Sequence, residues 1–444
     1  MAEPDCRGRE LPPPGPSARG PGAATLAGPV ADRERWADAA AGVRERLAAH
    51  AHRLSDGGVV WKAPVRAAAG AKPALHGPHL YDGSCGVALF LAADHLLTGD
   101  LTARELALAA VAPLRLKVRQ LAADPGRAAA LRLGVGGLVG AGSFLYAFAR
   151  LAEWLEDADL LADAARCLPL IGAERIAADD RFDVTSGCAG AILALLAFER
   201  RTAAAGDRAD GEAALAAAAA CARRLLAARV SWQGRPRGWP GPEGRPPLGG
   251  FAHGAAGIAY ALLRLHRRTG EEDYRRAALE AYAFERGLYL PEVDGWLDPR
   301  FGRPVEQSAW CHGTPGIALG RVGGLGAVDD AETREEIGRA LRSTLALPIA
   351  RRDHLCCGNA GRIEILHTAA RALDRDDLAA AAARLAGAML DRAEASGGLA
   401  VETADDGAPP DAFSPSLFLG VAGVGYTLLR LAHPEALPCP LLLD

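Results

Sequence analysis

The sequence predicts an all-α domain, an α/α toroid in which about seven inner helices are wrapped by about seven outer ones. Two observations carry that expectation. Apolar residues recur at spacings of three and four in stretches such as 101–121, 212–228, 273–288, 331–345 and 377–393, the period of a helix with one buried face. Alanine and leucine dominate, and β-branched runs alternating with period two are nearly absent. Second, one short pattern, two glycines three apart with an apolar stretch usually after them, returns seven times.

In chain order, residues 1–30 are rich in Pro, Gly and Ala with few large apolar side chains. They cannot bury enough surface to offset the entropy of ordering, and disorder is expected. Residues 31–444 are expected to form one toroid domain. Its glycine pairs are Gly83 and Gly86 in LYDGSCGVALFLA, Gly137 and Gly140 in GVGGLVGAGSFLYAFA, Gly187 and Gly190 in DVTSGCAGAILALLAF, and Gly254 and Gly257 in GFAHGAAGIAYALLRL. Gly313 and Gly316 follow in WCHGTPGIALGR, Gly358 and Gly361 in CCGNAGRIEILHTAARAL, and Gly420 and Gly423 in FLGVAGVGYTLLRLA. The mean period from 83 to 420 is about 56 residues, enough for two helices and two loops.

Each copy reads as a loop whose glycines permit an unusual turn and close backbone approach, then an apolar inner helix, then an amphipathic outer one. Seven such hairpins closing on themselves gather the glycine loops and inner-helix N-termini at one end of the ring, where a functional site is to be sought. Packing alone, with glycines letting inner helices approach, is the other reading of most copies.

Composition narrows the function classes. Fifty Lys plus Arg against fifty-four Asp plus Glu leave a net charge of −4 over 444 residues, so no basic excess points to nucleic acid or anionic lipid. Nine scattered cysteines in a long chain are unlike a disulfide framework, and a reducing cytoplasm is expected. Asp5, Arg7, Arg9 and Glu10 followed by Pro12, Pro13 and Pro14 cannot form the apolar core of a signal peptide. The uncharged stretch 134–149 holds five glycines in 16 residues and falls short of the roughly 20 apolar residues that span a bilayer, so no membrane span is expected.

Three cysteines stand inside the glycine loops of the fifth and sixth copies: Cys311 in AWCHG, and Cys356 with Cys357 in HLCCGNAG. Thiolates are soft ligands suited to Zn²⁺, and neighbouring copies in a ring bring these loops side by side. Three protein ligands leave a fourth position open, the mark of a catalytic zinc. Three buried thiols behaving as small hydrophobes is the competing account. Cys85 and Cys188, in the loops of copies one and three, read as structural, and Cys6, Cys167, Cys221 and Cys439 carry no pattern. His253 in FAHG, His312 in WCHG and Asp183 in FDVTSG are the polar candidates. A histidine near neutral pH can donate a proton or stabilise an anion, and an aspartate can orient it or accept a proton; capping of the glycine turn is the alternative. His354 reads as loop support.

The motifs LYDGSCGVALFLA, GFAHGAAGIA, WCHGTPGIALGR and CCGNAGR, in that order, resemble those of the lanthionine synthetase C-like cyclases, most closely the C-terminal cyclase domain of class II lanthipeptide synthetases. The resemblance runs over residues 55–435 and implies an α/α toroid with a central zinc. It implies Cys311, Cys356 and Cys357 as ligands, with Cys357 standing where many relatives have histidine. It further implies Michael addition of a peptide cysteine thiol to dehydroalanine or dehydrobutyrine, giving a lanthionine or methyllanthionine ring. His253 matches the histidine assigned to enolate stabilisation or protonation, Asp183 the aspartate of acid/base handling, and His312 a position occupied by Tyr or His. Class II synthetases carry a dehydratase domain before the cyclase. Nothing of that pattern precedes residue 55, so the expected partners are a dehydrated precursor peptide with its leader and a dehydratase, separate or in a missing part of a larger synthetase. A zinc-bearing binder of thiols or peptides without catalysis is the rival reading, and an α/α-toroid glycosidase, which needs two flanking carboxylates and no thiolates, is a remote one.

Overall fold

The computed structural model describes residues 30–62, 75–301, 309–401 and 413–444. The N-terminal segment expected to be disordered therefore lies, up to residue 29, outside the described residues. The described helices are α1 (Val30–Ala49), α2 (Ser84–Thr98), α3 (Leu101–Ala123), α4 (Pro125–Ala130), α5 (Ala141–Trp154), α6 (Ala158–Ala165), α7 (Ala173–Ala177) and α8 (Cys188–Ala205). They continue with α9 (Arg208–Ala228), α10 (Ala255–Thr269), α11 (Glu272–Arg286), α12 (Thr314–Gly324), α13 (Ala331–Ala346), α14 (Asn359–Leu373), α15 (Asp376–Ser396) and α16 (Val421–Ala432). Sheet among the described residues is confined to two antiparallel pairs of two-residue strands, His52–Arg53 with Val59–Val60 and Tyr289–Leu290 with Gly295–Trp296.

The hairpins are written locally. Helix α2 ends on Gly99 in the left-handed region (φ 73°), and Asp100 then caps α3, accepting from the Ala103 N–H at 2.8 Å. Gly206 (φ 80°) and Asp207 repeat the device between α8 and α9. Glycine tolerates the reversed backbone, and the carboxylate both accepts an orphan N–H and complements the helix dipole.

Inner helices α2, α5, α8, α10, α12, α14 and α16 each pack on the next, and α16 returns to α2. Outer helices α3, α6, α9, α11, α13 and α15 each cover the inner helix before them, but the seventh pair is α16 with α1 from the other end of the chain. Trp36, Ala40, Val43 and Leu47 are the buried face of α1, and Arg35 pairs with Asp391 (2.7 Å) and Glu394 (2.8 Å) of α15, Arg44 with Asp94 (3.0 Å) of α2. The expected α/α toroid is present, closed by its two ends. Among the described residues no helix is long and apolar enough to cross a membrane.

The glycine loops do gather at one end, and a belt of backbone hydrogen bonds joins them. It runs from the Tyr81 N–H to the Leu138 carbonyl, Leu138 to Thr185, Val184 to Ala252, Phe251 to Trp310, Trp310 to Cys356, Cys356 to Phe418, and Phe418 back to Tyr81, at 3.0 to 3.3 Å. Two details of the glycine reading change. The glycine preceding six of the inner helices has φ between −113° and −135°, ordinary extended backbone; the exception is Gly140 at φ 139°. Close approach is what demands glycine: a Cβ at Gly257 would sit 1.9 Å from the Phe251 carbonyl oxygen, and one at Gly190 1.9 Å from that of Val184. In the second copy the register also shifts. Gly140, not Gly137, caps α5, and the position three residues on is Ser143, while Gly137 packs against the Gly190 backbone.

These contacts give a stability prediction. Gly257→Ala drives a methyl into backbone that cannot yield and is expected to cost about 3 kcal/mol, the upper part of the overpacking range. Gly387→Ala in the middle of α15, where an added Cβ meets nothing within 4 Å, is expected to gain up to about 1 kcal/mol from helix propensity. Thermal melts followed by circular dichroism read both.

Candidate functional site

Counting back from the glycine before each inner helix sorts the site residues. Cys311 and Cys356 stand two residues before Gly313 and Gly358; His253, His312 and Cys357 stand one residue before Gly254, Gly313 and Gly358. The repeat thus fixes which side chains meet at the mouth of the ring. Buried polar groups hold the loops. Glu285 Oε1 accepts from the N–H groups of Gly250 and Ala256 (both 3.0 Å) on either side of His253, and its Oε2 takes Arg321 of α12 at 2.8 Å. Asp353 accepts from Asn359 Nδ2 at 2.9 Å and from the Ala400 N–H at 2.8 Å, bracing the loop of the cysteine pair.

Cys311 and Cys356 are buried and Cys357 is half-buried. The Cys357 sulfur lies 3.4 Å from that of Cys356 and 3.7 Å from that of Cys311, and all three lie within 4.8 Å of one another. These are not disulfide distances. A tetrahedral site with metal–sulfur bonds of about 2.3 Å separates its sulfurs by about 3.8 Å, so the cluster fits a soft divalent ion held by three thiolates. It is the one group of three or more such side chains among the described residues with this proximity.

Beside the cysteines stands a linked polar row. His253 Nδ1 and Asp183 Oδ2 are 2.7 Å apart, and Asp183 Oδ1 accepts from the N–H groups of Ser186 (2.7 Å) and Gly187 (3.2 Å). An ionised carboxylate only accepts, so Nδ1 carries the proton and Nε2 is the end that exchanges one. The His253 ring stacks on His312 with centroids 4.9 Å apart and 23° between planes, and His312 adjoins Cys311 in the chain. Burial first, then His253 and Arg300, hold the His312 pKa well below the ordinary histidine value, so its ring is neutral. Its Nδ1 is buried without a hydrogen-bond partner among the described residues. Arg300 is itself braced by Asp298, at 2.7 to 3.1 Å.

The six expected site residues thus fall into two groups, the three cysteines and the row Asp183, His253 and His312, joined in the chain where Cys311 precedes His312. His354 accepts from the Cys357 N–H at 3.3 Å, consistent with loop support. Cys85 and Cys188 are buried away from the cluster; they are not in equivalent positions, standing two and one residues after their glycines. Cys188 meets the Cys221 thiol, and that contact with burial raises its pKa. Sequence reasoning missed Tyr81, a buried tyrosine whose pKa is held well above the ordinary value by burial first and then by Cys356, Cys357 and Cys311. Its signal was available, because Tyr81 precedes Gly83 by the same two residues that separate Cys356 from Gly358.

A family model described as lanthionine synthetase C-like protein matches residues 75–442, more than four fifths of the chain. The chain belongs to the lanthionine synthetase C-like family. Among solved structures, nisin cyclase superposes with a TM-score of 0.59 at 18% identity, covering 82% of this chain and 92% of that one. An unsaturated glucuronyl hydrolase from Streptococcus agalactiae gives a TM-score of 0.45 at 11% identity, covering 93% and 94%. Over 75 residues the chain is 33% identical to the lacticin 481/lactococcin biosynthesis protein LcnDR2 of Lactococcus lactis subsp. lactis. That match takes in 17% of this chain and only 8% of the relative, which is a far longer protein. Membership of the lanthionine synthetase C-like family and the nisin cyclase likeness carry the toroid; the cluster of three cysteines is this chain's own geometry.

Proposed function

We propose that residues 31–444 form a zinc-dependent lanthipeptide cyclase, adding peptide cysteine thiols to dehydroalanine or dehydrobutyrine to make lanthionine and methyllanthionine rings. The observation that carries it is the cluster of Cys311, Cys356 and Cys357 beside the hydrogen-bonded Asp183 and His253. Cys311, Cys356 and Cys357 would hold the zinc, which when bound supplies a Lewis acid with a position open for the substrate thiol. In the addition a sulfur–carbon bond forms at the β-carbon, the carbon–carbon double bond is lost, and one proton moves from the thiol to the α-carbon without change of peptide mass. Asp183 holds the His253 ring and compensates its charge when protonated; Nε2 of His253 delivers the proton or stabilises the enolate. Neutral His312 packs against that ring and keeps it from turning away. The substrate is a dehydrated precursor peptide with its leader, the dehydrations come from a partner enzyme or another part of a larger synthetase, and the setting is the cytoplasm.

Zinc content per chain, followed by thiol consumption and mass analysis with a dehydrated cysteine-containing peptide, tests the proposal. One zinc with thiol loss at constant mass supports it. Zinc with peptide binding but no thiol loss would instead favour a non-catalytic member of the family. The third thiolate has its own test. With Cys357 as an anionic donor the site is more electron-rich than one with histidine, which favours a nucleophilic substrate sulfur. Cys357→His is expected to retain metal and slow turnover by about tenfold, in line with substitutions that retune a metal site; an unchanged rate would refute this role of the thiolate.

A further inference from the structure

The ring places Tyr81 in one layer with two of the cysteines. Side chains two residues before the capping glycines are, in ring order, Tyr81, Leu138, Thr185, Ala252, Cys311, Cys356 and Phe418, and the backbone belt links these loops. Phe418 alone separates Tyr81 from Cys356 in that order. The Tyr81 ring lies flat on Phe418, with centroids 5.0 Å apart and 13° between planes, and Phe418 in turn meets Trp310, the residue before Cys311, at 5.1 Å. This stack carries the tyrosine past the seventh loop toward the cluster, and burial first, then Cys356, Cys357 and Cys311, hold the pKa of its hydroxyl well above the ordinary value. The residue is 8% exposed, so water competes little for that hydroxyl.

Resting on the reading of the three cysteines as metal ligands, we propose that Tyr81 is a positioning residue for the metal centre, its hydroxyl donating a hydrogen bond to the Cys356 thiolate. A coordinating thiolate has no proton, so the tyrosine O–H is the donor. The need for it is electrostatic. Three thiolates around a divalent ion leave one excess negative charge, and a substrate thiolate makes it two, at sulfurs that are buried for Cys311 and Cys356. The backbone N–H groups of the cysteine pair are committed elsewhere: that of Cys356 to the Phe418 carbonyl at 3.0 Å and that of Cys357 to His354 Nδ1 at 3.3 Å. A phenol hydroxyl brought across the ring supplies a donor that these N–H groups do not. It draws density from the sulfur, which leaves the metal more acidic toward an incoming thiol and fixes the direction of the Cys356 side chain.

Tyr81→Phe keeps the ring stack and deletes the donor. In the full chain this variant is expected to bind zinc with affinity lowered about tenfold or more, measured by competition with a chromophoric chelator. With Co²⁺ in place of zinc, its sulfur-to-metal charge-transfer band is expected at longer wavelength than in the unsubstituted protein, because a thiolate without the hydrogen bond gives up its electron more readily. Leu138→Ala, in the same layer but away from the cysteines, is expected to leave the band in place. Tyr81→Phe with both band and affinity unchanged would overturn the role of Tyr81 and leave the metal reading standing. An unsubstituted protein that takes up neither zinc nor cobalt would overturn both.

Discussion

Cys311→Ala is expected to lose its zinc and, with it, all consumption of peptide thiol. The loss follows from geometry. The Cys311 sulfur is 3.7 Å from that of Cys357 on a different inner helix hairpin, so a metal held as proposed would tie the fifth loop to the sixth through it. Two thiolates from adjacent residues, Cys356 and Cys357, leave half the coordination sphere to water. The affinity should fall by far more than the 10- to 100-fold typical of removing a group that only touches a ligand. The fold should survive, because the same two loops are already joined by the Trp310 N–H to the Cys356 carbonyl at 3.2 Å. Cys85→Ala is the control. It removes a wholly buried thiol in the first turn of α2 and is expected to lower the melting temperature by a few degrees through its cavity while leaving the metal content unchanged. Elemental analysis, a thiol assay and a melt on both variants separate the outcomes: Cys311→Ala with full zinc would overturn the ligand assignment.

How far the sequence speaks depends on whether the determining contact repeats. Five of the outer helices were legible to within a few residues; residues 331–345, for instance, carry an apolar period that the structure realises as Ala331–Ala346. The convergence of Cys311 with Cys356 and Cys357 was legible too, because one position relative to a capping glycine means one position on the ring. Three things were not. The seventh outer helix is α1, paired with α16 across nearly the whole chain, and no spacing between residues 30–49 and 421–432 announces a contact made only by closure. The second copy hid its register, because Gly134, Gly136, Gly137, Gly140 and Gly142 offer several pairs and only backbone geometry selects Gly140. The offset of Tyr81 from Gly83 was in the sequence, but not its neighbourhood: the cysteines around it come from loops five and six, past Phe418. The same closure that hid α1 is what brings loop one near loop six.

Asp183→Asn is expected to reduce ring formation by about 10²- to 10⁴-fold, the range of general acid–base catalysis, while zinc content stays at that of the unsubstituted protein. The argument rests on what the backbone allows at residue 183. Asp183 Oδ1 accepts from two N–H groups, those of Ser186 and Gly187, so an asparagine there must present its carbonyl oxygen to them. Its NH₂ group then takes the place of Oδ2, 2.7 Å from His253 Nδ1. An amide donor forces the imidazole proton onto Nε2 and meets a protonated ring donor to donor, so the imidazolium proposed to deliver a proton at the α-carbon loses its partner. His253→Ala removes the group entirely and is expected to fall as far, and the double variant no further than the worse single one, since the two act as a unit. A protein that binds zinc and peptide without catalysis would show the opposite pattern, with peptide affinity altered and no rate to lose. Single-turnover thiol consumption across pH, with zinc measured on the same samples, discriminates: an unchanged rate in Asp183→Asn would remove the pair from the chemistry.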